Sequence, residues 1–385
     1  MLIGPISKFS NLIMSGSKRF KDKTIIHTEA ATGWGGQEIR TFTECKWLRD
    51  QGANIILLAP EKTPIWENFK EEGFELIHVP FKKKTQITDM LHCRRLFKQH
   101  RPDVVATHSN IDSKAALLAA TLANVPKRIR YRHVSIPVRP NFWNKIIYRK
   151  LATDIITTGD CISNPLIQNL GLIPSKVHTI STGINLPESF IDRETARLNL
   201  CHELNIPTES HFVGQISVLR RWKGQTDVME GFDQIAQKFP NLHLVFIGGG
   251  HGEEYLPPIA ASKKHASKIH FVGHKTDPWP YFRALDINIL ASTEGEGIPQ
   301  VGMQSMLSDT PFVGTKIGGI PEIIKHGETG MLFDSASPSQ IKDTLTLLLE
   351  NHQQRINIAT NARLWAMDHC LTEQMGEKVL QILEI

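Results

Sequence analysis

The stretch Ser292-Thr293-Glu294-Gly295-Glu296-Gly297-Ile298-Pro299-Gln300 has the make-up of a loop that meets a phosphate. Gly295 and Gly297 allow close main-chain approach and unusual dihedrals. Pro299 suits the first turn of a helix, and Gln300 and Gln304 then fall four residues apart on one of its faces. The apolar run Ile287–Leu290 precedes the loop, so a strand end, a glycine-bearing turn and a helix N-terminus meet there. Free backbone N–H groups and the positive end of the helix dipole suit such a junction to a phosphate. Glu296 cannot hold a phosphate, but it can accept hydrogen bonds from sugar hydroxyls. Read alone, these residues also fit an ordinary tight β–α turn.

Three further segments carry residue types suited to the same chemistry. Ser217-Val218-Leu219-Arg220-Arg221-Trp222-Lys223-Gly224 leaves the end of the apolar run Phe212–Ser217. Cations placed there face the crevice where open α/β sheets bind ligands. Arg220 and Lys223 can neutralise a diphosphate, the first as a bidentate fork and the second as a point charge. A solvated basic turn is the plainer reading, and the choice between Arg220 and Arg221 stays open. Gly33-Trp34-Gly35-Gly36-Gln37-Glu38 lies between the first strand and a helix starting near Gln37, and its Gly35 and Gly36 would admit a ligand close to the main chain. His108 follows the run Asp103–Thr107, and a polar residue at the carboxyl end of a parallel strand belongs to a site more often than to a core. His133 has the same placement after the next strand.

The chain contains no D-x-D pair, no Walker A pattern and no G-x-S-x-G. Mg²⁺ and Mn²⁺ take oxygen ligands, commonly from closely spaced carboxylates. Without such a pair, leaving-group charge falls to fixed cations and a helix terminus, and no metal or other cofactor is expected. Neither the Gly33–Gly36 loop nor Gly248-Gly249-Gly250-His251-Gly252 completes a G-x-G-x-x-G fingerprint, which weighs against a dehydrogenase. The five cysteines are scattered without a C-x-x-C pair, so neither a zinc site nor a disulfide framework is indicated, and a reducing cytosol fits.

The elements that position these segments alternate regularly. Short β-branched runs at Thr24–His27, Asn54–Ala59, Glu75–Val79, Asp103–Thr107, Arg128–Tyr131, Ile155–Thr157 and Val177–Ile180 are spaced by helical patterns. The second half repeats the arrangement at Phe212–Ser217, His243–Ile247, Ile269–Phe271, Ile287–Leu290, Phe312–Gly314 and Met331–Phe333. Runs this apolar read as parallel strands covered on both faces, hence an α/β fold of two doubly wound domains. A length of 385 residues also favours two domains. The boundary falls near Gly183–Pro187, giving domains 1–185 and 186–385, with an unpatterned charged segment after it and a helical stretch from Pro338 to Ile385 whose last helix packs back on the first domain. Met1-Leu2-Ile3 is broken by Gly4 and Pro5, and Asn11-Leu12-Ile13-Met14 is short for a secretory h-region, so no leader is expected. No run of about 18 apolar residues is present to span a bilayer.

Charge divides unevenly. Residues 1–185 hold 27 Lys+Arg against 15 Asp+Glu, whereas residues 186–385 hold 17 against 24. No acidic residue lies between Asp112 and Asp154, and Phe142, Trp143, Ile146, Ile147 and Tyr148 are interleaved with the cations of that window. Lys82-Lys83-Lys84 and Arg94-Arg95 add to it. Such a half points to an anionic partner: a membrane surface, an acidic glycan or a nucleic acid. No helix-turn-helix, RRM or zinc pattern supports nucleic acid.

Taken in order, these pieces resemble glycosyltransferase family 4, a retaining family of the GT-B fold, over nearly the whole chain from about Lys23. The family's Glu, seven residues, then Glu-Ala-Met falls on Glu296 and Gln304-Ser305-Met306. Thr310-Pro311-Phe312-Val313-Gly314-Thr315, Gly318-Gly319-Ile320-Pro321-Glu322 and His326-Gly327-Glu328-Thr329-Gly330 are similar to the segments that follow it. Gly35-Gly36, Thr107-His108-Ser109 and Thr182-Gly183-Ile184-Asn185 match its N-terminal motifs.

The resemblance implies GT-B architecture: two Rossmann-like domains facing an interdomain cleft, an N-terminal acceptor domain and a C-terminal donor domain. It implies transfer of a sugar from a nucleotide-diphosphate sugar to a glycan or lipid-linked acceptor in lipopolysaccharide or surface-polysaccharide assembly, without a metal. The setting would be cytoplasmic, or peripheral on the inner face of the plasma membrane. Arg220 and Lys223 would hold the diphosphate, Glu296 the donor sugar, Gln304 the ribose and His108 the transferred sugar. Gly36 with Gly35, and Gly297, Ile298 and Pro299, would offer backbone to the substrates. The chain departs from the family pattern twice: Gln304 stands for the second Glu, and Val218 stands where an Arg often precedes the Lys by five residues. A nucleotide-binding partner subunit without activity and a sugar-nucleotide epimerase of the same fold are the alternatives.

Overall fold

The structure is a computed structural model and describes residues 20–383. The runs Met1-Leu2-Ile3 and Asn11–Met14, on which the expectation of no leader rests, lie outside the described residues. The remaining chain is α/β throughout. One sheet has seven strands, β1 (Thr24–Thr28), β2 (Asn54–Ala59), β3 (Glu75–His78), β4 (Val104–Thr107), β5 (Lys127–Arg132), β6 (Asp154–Thr157) and β7 (Val177–Thr179), in the order β3-β2-β1-β4-β5-β6-β7. The other has β8 (His211–Ile216), β9 (Leu242–Ile247), β10 (Ile269–Gly273), β11 (Ile287–Leu290), β12 (Phe312–Thr315) and β13 (Met331–Phe333), in the order β10-β9-β8-β11-β12-β13. Each expected strand is present, with ends moved by a residue or two. The registered pairs, such as β1 with β2 and β8 with β9, are parallel.

Sequence composition explains the sheets. In β2 five consecutive residues, Ile55 to Ala59, are buried, so both faces are covered. Ile26, Ile56, Leu58 and Val105 pack against Leu96, Phe97, Ala116 and Ala120 from the helices Gln86–His100 and Asn110–Leu122. In the second sheet, Val213, Leu244, Phe246 and Ile289 meet Val228, Phe232, Ile341 and Leu345. Each Val, Leu, Ile or Phe among them contributes about 1.5–3 kcal/mol when fully buried.

The described chain divides into two compact units, one of residues 20–132, 140–156 and 376–383, the other of His133–Arg139 and Thr157–Met375. In the first, Gly376 of the helix Thr372–Leu383 lies directly on the Trp47 indole, where any Cβ would collide. Two local expectations change. The charged segment read as unpatterned contains a helix, Arg193–Leu204, whose Asp192 caps the Thr195 N–H and whose Ala196 and Leu200 are buried. Pro299 is the N-cap of the helix Gln300–Leu307 and not part of its first turn, its ψ of 112° being extended.

Gly224 has φ +69°, and a Cβ there would overlap the Ala291 carbonyl oxygen. Gly273 has φ +78° with nothing near its missing Cβ. Gly273→Ala therefore carries only the left-handed backbone penalty of about 1–2 kcal/mol, whereas Gly224→Ala adds a backbone collision. Scanning calorimetry should show a clearly larger loss of Tm for Gly224→Ala, at about 2–4 °C per kcal/mol. Equal losses would contradict this packing.

Candidate functional site

Both sheets reverse their strand order once, at β1/β4 in the first and at β8/β11 in the second. In open α/β sheets, loops leaving the carboxyl ends at such a reversal splay apart and form the ligand crevice. The four segments singled out from sequence are those loops. Gly33–Gly36 follows β1, His108 follows β4, Ser217–Gly224 follows β8, and Ser292–Pro299 follows β11.

In the second unit the two loops are joined at one ion pair. Lys223 Nζ donates to both oxygens of Glu296, at 3.0 and 2.7 Å. Lys223 is 9% exposed and Glu296 7%. Ser292 Oγ donates to the same Glu296 Oε2 at 2.6 Å. The ammonium also sits 4.4 Å from the centroid of the Trp222 ring. The backbone holds these groups in place: Thr293 N–H donates to the Trp222 carbonyl at 2.8 Å, and the buried Gln215 amide donates to the Lys223 carbonyl at 2.8 Å. The loop after β9 supports the arrangement from behind, with Leu219 N–H donating to the Gly249 carbonyl and Gly252 N–H to that of Leu219. Gly318, at φ +56°, lies against the Glu296 carbonyl oxygen, where no side chain fits. Thr315 Oγ1 donates to the Ser292 carbonyl at 2.7 Å.

Around this pair, Arg220 is exposed at the start of the turn Arg221–Lys223, and the Arg221 guanidinium lies 5.2 Å from the Tyr255 ring centroid. Gly297 faces the His133 carbonyl, and Ile298 packs against Gly159 and Gly319. Pro299 starts the helix on which half-buried Gln304 stands one turn beyond Gln300. The Glu322 carboxylate accepts from the Asp160 and Cys161 N–H groups, both at 2.7 Å, and so caps the helix Asp160–Leu170. Burial and this carboxylate push the Cys161 thiol up to about 12.

In the first unit His108 is buried, and its ring nitrogens lie 3.0 Å from His27 Nδ1 and 3.2 Å from Thr41 Oγ1. Thr41 already donates its hydroxyl proton to the Gln37 carbonyl, so it accepts from His108 Nδ1–H. His108 Nε2 is then the acceptor for His27 Nδ1–H. Burial lowers His27 to about 4, so it donates through Nδ1 as a neutral imidazole near neutral pH. The two imidazoles lie 14° from parallel, and the Tyr131 ring lies 27° from parallel to that of His108. Gly35 N–H donates to Glu38 at 2.8 Å, which closes the glycine loop onto its helix. Burial, reinforced by Glu29, raises the Glu38 carboxyl.

Several members of this constellation escaped the sequence reading. Buried Glu29 accepts from the Ala30 and Ala31 N–H groups, the Gln37 amide and the Ser109 hydroxyl. Buried Asp112 accepts from Thr28 Oγ1 at 2.6 Å and from His108 N–H at 3.1 Å. Buried Arg130 donates to the His108 carbonyl and to Asn110, both at 2.8 Å. The strand-end rule that selected His108 also covers Glu29, which directly follows β1, and Ser292 lies one helical turn's spacing before Glu296.

Residues 34–188 match the sequence family described as Glycosyltransferase Family 4, and residues 199–365 the one described as Glycosyl transferases group 1. A D-inositol 3-phosphate glycosyltransferase of Corynebacterium efficiens is 28% identical over 211 residues, 51% of this chain and 48% of that protein. The chain thus spans about half the length of this relative and of its counterpart from Corynebacterium glutamicum. A solved glycosyltransferase of Rickettsia africae shares the fold with a TM-score of 0.84 at 19% identity, over 94% of this chain and 97% of that one. An Anabaena protein, HepE, solved in complex with UDP, gives 0.81 at 17% identity, over 94% and 99%, and has also been solved with UDP-glucose.

Asp112 gives the site a pH signature. Burial first, then the Glu29 carboxylate, push it up to about 7, against the pull of Arg130 and its two hydrogen bonds. Its native pKa thus lies above the unfolded value of about 3.9. The folded state binds the proton more tightly, so this residue's contribution to stability falls as pH rises from about 4 to 7. Asp112→Asn keeps an oxygen for Thr28 and His108 but cannot ionise. Urea midpoints at about pH 5.5 and about pH 8 should drop less between the two in the variant than in the native chain. An unchanged drop would contradict the assignment.

Proposed function

This chain belongs to glycosyltransferase family 4 and has its GT-B fold, and from that premise we propose that it moves a sugar from a nucleoside-diphosphate sugar to a glycan or glycolipid acceptor. The observation that carries this reading is the buried Lys223–Glu296 pair at the β8/β11 reversal. As the bond between the anomeric carbon and the phosphate oxygen breaks, negative charge gathers on the diphosphate. A cation already in place there stabilises the transition state without reorganisation. Lys223 is that cation, with Arg220 as its exposed partner. The N-terminal N–H groups of the helix Gln300–Leu307 add donors beside Gly297, Ile298 and Pro299.

Glu296 accepts from hydroxyls of the donor sugar, and Gln304 bonds the ribose as a neutral amide. His108, held by Thr41 and His27, and the Gly35–Gly36 backbone serve the transferred sugar and the acceptor. Fixed cations take the role a metal would have, and the anomeric configuration is retained, both following the resemblance. The UDP and UDP-glucose bound to the Anabaena protein favour a nucleotide donor.

The acceptor belongs to lipopolysaccharide or another surface polysaccharide and is met at the cytoplasmic face of a membrane. Among the described residues no helix is long and apolar enough to cross one. Phe142 and Trp143 are 71% and 62% exposed beside exposed Lys145, Arg149 and Lys150. On the helix Gln86–His100, exposed Ile87 and Leu91 precede exposed Arg95 and Lys98. Aromatics seat a protein in the interface, and each cation near anionic lipid adds about 1 kcal/mol.

Thermal unfolding with UDP, GDP, ADP, CMP and their common sugar conjugates tests the donor site. One class should raise Tm by several degrees, since ligand at about 100 times Kd adds roughly 2.7 kcal/mol. Lys223→Gln should lose that shift and on the order of 10²–10³-fold in kcat; full activity in this variant would end the assignment. Flotation with liposomes tests the membrane contact. Binding should favour anionic over neutral vesicles and fall in the Phe142→Ser, Trp143→Ser double variant, and equal flotation with both lipids would refute it.

A further inference from the structure

The Lys223 ammonium is held by groups of its own chain. Both Glu296 oxygens lie within hydrogen-bond distance, and the Trp222 ring lies beside it. Glu296 in turn has one oxygen shared by Lys223 and Ser292. A diphosphate approaching this cation must displace a carboxylate that already supplies two oxygens and a negative charge. We infer that Glu296 is a stand-in for the donor diphosphate, and that the exchange makes the site select a nucleotide sugar over the bare nucleoside diphosphate. The inference rests on the donor-site reading above and concerns the order of affinities within that site.

The selection follows from what becomes of Glu296 once it is displaced. A buried carboxylate without its counter-charge is costly, because removing one partner of a buried pair leaves the other unpaired. A nucleoside diphosphate takes Lys223 and leaves Glu296 with Ser292 alone. A nucleotide sugar takes Lys223 and also brings hydroxyl donors to Glu296, so both halves of the broken pair are satisfied again. After transfer the sugar is gone, Glu296 closes back on Lys223, and the spent nucleoside diphosphate is pushed out. The same contact that admits the substrate thus helps to release the product.

Isothermal titration of the full chain with UDP, GDP and ADP and with UDP-glucose, GDP-mannose and ADP-glucose tests this. In Glu296→Gln the nucleoside diphosphate that binds the native chain should bind about ten-fold tighter or more, the scale of one charge-assisted hydrogen bond no longer broken. Its sugar conjugate should gain less or lose affinity, so the preference for the conjugate shrinks. Glu296→Asp keeps the charge but withdraws it by a methylene, and should shift both affinities in the same directions by a smaller factor. Glu294→Gln removes an exposed charge two residues away and should change neither, which separates the contact from long-range repulsion. If the native chain binds a conjugate but neither Glu296 variant gains affinity for the diphosphate, or Glu294→Gln gains as much, the stand-in role is wrong and the donor site stands. If no nucleotide binds the native chain or Glu296→Gln, the donor-site reading falls and this inference with it. Unchanged circular dichroism identifies the variants that have folded.

Discussion

A parallel sheet cannot be left bare on either face, and much of this molecule follows from that constraint. Its strands run apolar end to end, so helices must cover both sides, and the chain must cross from one side to the other once. At that crossing two neighbouring loops diverge. The carboxyl ends of β1 and β4, and of β8 and β11, are therefore the places where polar side chains can gather without disturbing a core. His108 and Glu29 use one of these openings, Lys223 and Glu296 the other.

What gathers there is charged and buried, which sets a second condition. Glu29 is satisfied by two backbone N–H groups, an amide and a hydroxyl, and Arg130 by carbonyls and Asn110. Glu44 accepts from the Tyr131 hydroxyl and faces Arg40 3.6 Å away. Such groups are costly to take out of water even when partnered, and costlier still when left half-partnered. A ligand entering such a site trades one set of partners for another, and its affinity reflects the difference.

The strands were legible because β-branched runs of four to six residues between helical stretches have few other readings. The loops were legible because glycine, proline and charge at a strand end narrow the chemistry. Pairing was not legible. Lys223 and Glu296 stand 73 residues apart, and nothing in either segment names the other. Buried acids were missed for a related reason: Glu29 and Asp112 look in sequence like solvated charges, and only the fold shows that solvent is absent. The helix Arg193–Leu204 was missed because few apolar positions mark its buried face.

The contact between Gly376 and Trp47 has a consequence for how the chain is made. Trp47 lies on the helix Gly36–Asp50, which the ribosome releases early, while the residue that covers its indole is added more than three hundred peptide bonds later. Every strand of the first sheet leaves the exit tunnel before that cover exists. The face of that helix around Trp47 is thus closed only once the helix Thr372–Leu383 has been made, so the core of the first unit is completed by the two most distant parts of its sequence.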